Sequence, residues 1–294
     1  MFCPRFPMSD ATTEDLSQWD RVLAPQRPWF DLRLREIWKY RDLVLLFVRR
    51  DFTSTYKQTI LGPLWYLIQP LFTTFTFALI FGYFAKVRTD GLPQLLFFMS
   101  GVVAWSYFAD CLAKTANTFR GNAGLFGKIY FPRLIVPISI VITNMVTFLI
   151  QFGLFLLMLG FYWFKGAPVF PNYRVIILPL LILQMALLGL GVGAIVSSVT
   201  TRWRDVGMLV GFGTQLWMYG SSVVLPLSAI PENLRWIFVL NPMVPIIETF
   251  RFAFLGRGVV EIWQLIVSLA VTLVIFFAGI VIFSRVERDF MDTV

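Results

Sequence analysis

Residues 49–72 read RRDFTSTYKQTILGPLWYLIQPLF, and the reading of the whole chain turns on how this stretch changes character. It begins as a basic, amphipathic surface segment and becomes a membrane span without a spacer. Gly62-Pro63 marks the changeover. Lys57 is the last charge and Lys86 the next, so residues 58–85 are uncharged. A helix of that length crosses a hydrocarbon core of ~30 Å with some tilt. Force applied to the surface segment would therefore reach the first span directly.

Composition extends this reading to the rest of the chain. Hydrophobic residues make up 57% of the 294 and charged residues 14%. With a mean hydropathy of +0.73, this is a polytopic membrane protein rather than one or two soluble domains. The net charge of +8 does not point to nucleic acid, because the basic residues flank apolar runs, as membrane orientation requires. Histidine is absent, which removes the commonest general base, metal ligand and pH switch together. Cys3 and Cys111 are far apart and form neither a disulfide framework nor a CxxC metal pattern.

Residues 1–29 contain no apolar core of a signal peptide and read as a flexible tail, followed by a permease domain over 30–294. Residues 30–57 predict an interfacial helix. Ile37, Tyr40, Val44, Phe47, Val48 and Phe52 recur at helical spacing, and Lys39, Asp42, Arg49, Arg50, Thr53 and Lys57 share another face. Six spans are expected, at about 61–85, 93–112, 134–163, 175–200, 206–226 and 262–284. The fold class is all-α, with six transmembrane helices, an amphipathic interfacial helix at the N-terminus, and re-entrant outer helices before the sixth span. Those re-entrant helices fall in 227–261, which is apolar but interrupted by Pro231, Pro242 and Pro245. Irregular backbone at membrane depth must be buried in protein or line a cavity. Eighteen of the 25 Lys and Arg residues fall on one side of these spans. The positive-inside rule places that side, and both termini, in the cytoplasm.

Small residues signal close helix packing. Gly189, Gly191 and Gly193 lie in the fourth span, and Gly207 and Gly211 form a GxxxG in the fifth. The spans carry almost no ionisable groups, Asp110 near one end being the exception. An ion-coupled carrier normally places such groups within its spans. No carboxylate pair and no phosphate-binding glycine loop occurs. These absences point away from catalysis, metal binding and a resident cofactor. They imply ATP, with Mg, hydrolysed on a separate chain.

Aromatic residues are the other conspicuous feature. Trp65, Tyr66, Phe72, Phe75 and Phe77 lie in the first span, Trp105, Tyr107 and Phe108 in the second, and Trp217 and Tyr219 in the fifth. Aromatic faces stack on sugar C–H surfaces while Tyr and Trp polar atoms hydrogen-bond. Trp65, Tyr66, Phe72, Phe75, Trp105, Tyr107, Trp217 and Tyr219 are thus candidates for a channel lining. Lipid-facing and interfacial belts use the same residues. The inner loop 113–133 is too polar to cross and too patterned for a plain linker, and it reads as a short helix docking into a partner or as a helical hairpin connection with basic retention signals.

Four motifs in order carry a family resemblance: RRDFTSTYKQTILGPLWYLIQP, GNAGLFGKIYFPR, RWRDV and LNPMVPIIETFRFAFLG. Over roughly 35–294 the chain resembles the membrane subunit of ABC exporters for cell-surface polysaccharides, the O-antigen and teichoic acid exporter group. The resemblance implies a homodimer in the bacterial cytoplasmic membrane, served by two separate ATP-binding-cassette ATPase subunits. The implied substrate is a polysaccharide on a polyprenyl-pyrophosphate lipid. First- and fifth-span helices would line its path. Segments near 36–57 and 114–131 would meet the ATPase, with Asp51, Asn122, Leu125, Phe126, Lys128 and Arg204 as expected contacts. Arg49, Arg50 and Lys57 have the chemistry to hold a pyrophosphate at the entrance, and ordinary positive-inside anchoring accounts for them equally well. The alternatives are an exporter of teichoic acid, capsule or drug, a membrane transferase acting on lipid-linked sugars, and a membrane scaffold.

Overall fold

A computed structural model describes residues 38–57, 60–126, 131–203, 205–258 and 261–291, all within one compact unit. The expected tail 1–29, the first part of the surface helix, Lys128 and Arg204 lie outside the described residues. Among those residues the chain is helical and without strands.

Helix α1 spans Arg41–Tyr56. A short 3-10 turn, Gly62–Leu64, then leads into α2, Trp65–Phe77, which continues as a π-helical turn to Phe84. Next come α3 (Gln94–Ala116), the short α4 (Thr118–Gly121) and α5 (Ala123–Phe126), and α6 (Ile135–Phe164). A 3-10 segment opens α7 (Leu178–Arg202), and α8 is Val206–Tyr219. Helices α9 (Glu232–Val239) and α10 (Met243–Leu255) form a hairpin bent by 103°. The last helix, α11, runs Ile262–Met291.

Five helical segments are long and apolar enough to cross a membrane, and the bent α9–α10 pair brings the number to six if it counts as one span. The segment expected as the fifth span is shorter than predicted. Its helix, α8, has 14 residues, a rise of about 21 Å against a core of ~30 Å. The helix ends because its last carbonyls find other donors. Ser221 Oγ donates to Trp217 O at 2.6 Å, and Asn241 Nδ2 donates to Gly220 O at 2.9 Å. A turn within apolar surroundings is stable only with such replacements.

Helix α3 is the centre of the bundle, packed by α2, α6, α7, α8 and α10. Its closest neighbour is α7, and the reason lies in the glycine notches. A Cβ on Gly193 would stand 2.6 Å from Thr115 Cβ, and one on Gly189 2.8 Å from Cys111 Cβ. Gly191 faces the other way, where a Cβ would meet Phe276 Cα of α11 at 2.7 Å. Helix α7 is therefore pressed between α3 and α11 at backbone distance, as small residues permit in a membrane. Gly207 and Gly211 serve no such crossing, and a Cβ on Gly211 would meet nothing within 4 Å.

The alternation of helices defines two ends. The α1–α2 junction, α4–α5 and residue 203 share one end, where Phe119 stacks on Phe283 of α11 at 4.4 Å. The loop 86–92, the segment 165–172 and the α9–α10 hairpin share the other. There Asn172 N donates to Ala253 O at 2.8 Å, and Ser228 Oγ donates to Asp90 Oδ1 at 2.8 Å. These are the junction end and the hairpin end.

Candidate functional site

Helix α2 is apolar almost all round, yet it buries only a narrow stripe. Pro70, Thr74 and Phe77, at helical spacing, turn inward, and Phe77 meets Phe98 of α3 edge-on at 6.3 Å. The rest is open. Phe72 is 69% exposed and Phe75 60%, and Trp65, Leu71, Tyr83 and Phe84 are also exposed. Helix α8 likewise buries Met218 alone and leaves Met208, Leu209, Phe212, Leu216 and Tyr219 exposed. Two apolar helices thus present large surfaces, aromatic-rich on α2, that are open among the described residues.

The expected lining residues divide between this surface and the interior. Trp65, Phe72, Phe75 and Tyr219 are exposed, and Tyr66 is half-buried. The structure does not bring Trp105 and Tyr107 to the surface, because their side of α3 faces neighbouring helices. Trp105 packs on Phe108 at 5.1 Å and on Trp217 at 6.3 Å, and Tyr107 packs on Phe148 of α6 at 5.2 Å. Trp217 is half-buried and donates its indole N–H to Asn241 Oδ1 at 3.0 Å. Trp105 and Trp217 thus form a buttress behind the open face of α8, while Tyr107 is committed to α6.

At the junction end, α1 is held by its apolar stripe. Val44 and Phe47 are buried, and Phe47 meets Phe131 at 5.8 Å. Much of the amphipathic face predicted for headgroups therefore covers the protein's own bundle, next to α6. Phe52 stacks on Tyr66 at 6.1 Å and 19°, tying α1 to the first turn of α2. Gly62, with φ +51°, makes the bend between them. That backbone region favours glycine. Arg50 is committed locally, 2.7 Å from the Asp51 carboxylate and 4.6 Å from the Phe47 ring centre. Arg49 and Lys57 are exposed.

The loop after α3 is docked rather than free. Phe126 is buried against Phe119 and Phe131, with the Arg133 guanidinium 5.1 Å from its ring centre. Among the expected ATPase contacts, Phe126 is an internal anchor. Leu125 is half-buried, and Asn122 Nδ2 donates to Thr118 O at 3.1 Å at the end of α4. Among the described residues of this segment, Asn117, Arg120, Gly121 and Gly124 face outward.

Sequence reasoning missed the polar centre of the hairpin end. Glu248 and Arg251, one turn apart on α10, are both buried and 3.1 Å apart. Glu248 Oε1 also accepts from Ser222 Oγ at 2.7 Å and from Leu227 N at 3.0 Å. Arg251 donates through Nη2 to Ser222 O at 2.9 Å, and its guanidinium lies 3.8 Å from the Phe97 ring centre of α3. Ser222 takes φ +58° to meet both partners. Asn241, at the bend, accepts from Met243 N and Trp217 Nε1 and donates to Gly220 O and Ser221 Oγ. Two opposite charges at i, i+3 in an apolar segment were the available signal. They clamp the hairpin to α3 and to the end of α8.

The chain is thus a bundle of helices long and apolar enough to cross a membrane, with a bent hairpin, an amphipathic helix leading straight into the first long apolar segment, and an open, aromatic-rich face on α2. The profile of the ABC-2 type transporter family matches residues 42–255, and the chain belongs to that family. It is similar to the O-antigen export system permease protein RfbA of Myxococcus xanthus, with 26% identity covering 89% of this chain and 98% of that one. An RfbA of Klebsiella pneumoniae is 24% identical over 85% and 94%. The polysialic acid transport protein KpsM of Escherichia coli is 23% identical over 83% and 93%.

Proposed function

We propose that this chain is the permease subunit of an ATP-driven exporter that moves polyprenyl-pyrophosphate-linked polysaccharide, O-antigen in the first place, across the bacterial cytoplasmic membrane. The observation that carries this reading is the likeness to O-antigen export permeases along nearly their whole length. The open faces of α2 and α8 support pairing with a second copy, since contiguous exposed apolar surface of this kind marks a contact or a path. In the homodimer, Trp65, Phe72, Phe75 and Tyr219 line the glycan path, and Trp105 and Trp217 hold the α8 wall from behind. In this reading the chain is a transport subunit, and ATP is hydrolysed on a separate partner.

The junction end, with both termini, faces the cytoplasm, and two ATPase subunits carrying ATP and Mg engage α1 and the α4–α5 loop there. The stack of Phe52 on Tyr66 carries their movement into α2. Arg49 and Lys57 are free to meet a pyrophosphate, whereas Arg50 is held by Asp51. A capsule-type glycan is the second reading, favoured by the likeness to the polysialic acid transport protein KpsM.

Deletion of the chain tests the proposal. The expected result is loss of one surface glycan with accumulation of its lipid-linked polymer on the cytoplasmic side. Loss of both pools would indicate a biosynthetic enzyme instead, and no change in either would overturn the reading.

A further inference from the structure

The hairpin end holds a shallow cavity of about 450 Å³, wide open to the surface, lined by Asp90, Ser228, Gly256, Arg257 and Gly258. That size lies within the range of small-molecule sites, roughly 300–1,000 Å³. Its rim is backbone in unusual conformations. Asp90 has φ +53°, Gly256 φ +71° and Gly258 φ +145°. Gly256 is the left-handed cap that ends α10, so Asp90 is the one side chain of the three held in that region by its surroundings. Three chain segments far apart in sequence supply the lining, and one of them is the loop that follows α2. The cavity therefore stands at the end of the open aromatic helix.

The polar groups there are of both kinds. Both oxygens of Asp90 accept from the Ser228 hydroxyl, at 2.8 and 3.0 Å. One hydroxyl proton leaves most of the carboxylate's acceptor capacity unused. Arg257 is exposed, makes no ion pair with another described residue, and offers five N–H donors. Behind Gly258 lies Glu248 Oε2. It belongs to a side chain only 2% exposed and has no hydrogen-bond partner among the described residues. A Cβ on Gly258 would stand 3.1 Å from it, so Gly258 covers this oxygen, which is not part of the cavity lining.

The lining carries one carboxylate and one guanidinium, so it has no net charge to favour an anion or a cation. A neutral ligand rich in hydroxyls satisfies the acceptors of Asp90 and the donors of Arg257 together. We infer that this cavity is a sugar-binding subsite on the outer side, taking a neutral, polyhydroxylated unit of the glycan as it leaves the path along α2. The inference rests on the export reading and adds to it a place where the polymer is held at its exit.

The test uses the full chain, with the ATPase that copurifies, in lipid nanodiscs. Saturation-transfer NMR is run against a panel of neutral methyl glycosides, with citrate as an anionic probe. At least one glycoside is expected to receive saturation from the wild type. Asp90→Asn and Arg257→Gln should each weaken that binding about tenfold, the loss that follows removal of a charge-assisted hydrogen bond. Asn tolerates the left-handed backbone at position 90, and residue 257 is exposed, so both variants should melt as the wild type does. Lys165→Gln, an exposed change at the same end, should bind as the wild type. Saturation of no glycoside, equal binding by all variants, or binding of citrate alone would overturn the inference. Glycoside binding in a chain whose deletion leaves the surface glycan intact would instead sink the export reading and leave the sugar site standing.

Discussion

Helices α2 and α3 are equally apolar and of equal span length, yet their surroundings are opposite. Of the most apolar window of each, 17% is buried for the 62–84 span and 78% for the 94–116 span. Around α3 the contacts are at backbone distance and polar atoms are tied. Around α2 a single stripe touches the bundle. The first arrangement fixes a scaffold, and the second leaves a surface that the proposed reading gives to a second copy and a passing substrate. Their difference teaches that the place to look for function in this chain is where the packing stops.

Substitutions on the two sides should separate accordingly. The largest effect is expected at the clamp between the hairpin and α3. Arg251→Leu leaves Glu248 buried without its counter-charge, which costs on the order of 3–5 kcal/mol. Little folded protein should be recovered from membranes, as judged by monodispersity and thermal melting in detergent. A stable, monodisperse Arg251→Leu protein would break the distinction at its firmest point.

Next come the glycine notches. Gly193→Val drives a side chain into Thr115, and overpacking of this kind costs ~1–3 kcal/mol. Gly211→Val, where a Cβ would meet nothing within the subunit, should leave the melting temperature nearly unchanged. The same pair of variants sharpens the comparison in a second assay. If α8 lies at a contact between copies, Gly211→Val should lower the dimer fraction in native mass spectrometry, whereas an unaltered fraction would remove α8 from that contact.

On the open face, Phe72→Ala with Phe75→Ala should change stability by no more than ~0.5 kcal/mol per site while slowing the appearance of surface glycan. A large drop in melting temperature would mean that these rings are structural. The smallest effect belongs to Arg50→Gln. The Arg50–Asp51 pair is partly exposed, and such pairs contribute ~0–1 kcal/mol, so export and melting should both stay close to wild type.

The architecture was largely legible in the sequence because hydropathy and charge flanks are local signals. The first four spans and the last fall within a few residues of the runs that predicted them. The bend at 231–245 was legible from its prolines. The end of α8 was not, since it depends on Asn241 and Ser221 reaching carbonyls across the fold. Burial was the other hidden quantity. Trp65 and Trp105 look alike in sequence, and only packing places one outside and the other against Trp217. Glu248 and Arg251 went unread as a pair for the same reason, because their partners Ser222 and Ser100 come from other helices and turns. Gly189, Gly191 and Gly193 were legible as packing residues, but not which neighbour each one meets.

The central claim is that the open face of α2 meets the substrate. A photo-crosslinking amino acid placed at Phe72 tests it in cells making the glycan, with the same group at Leu157 of α6 as the comparison, since Leu157 is equally open at 74% exposure. The account predicts glycan-bearing adducts from position 72 and only lipid adducts from position 157. Equal glycan labelling at both positions, or none at 72 while 157 labels, would contradict it.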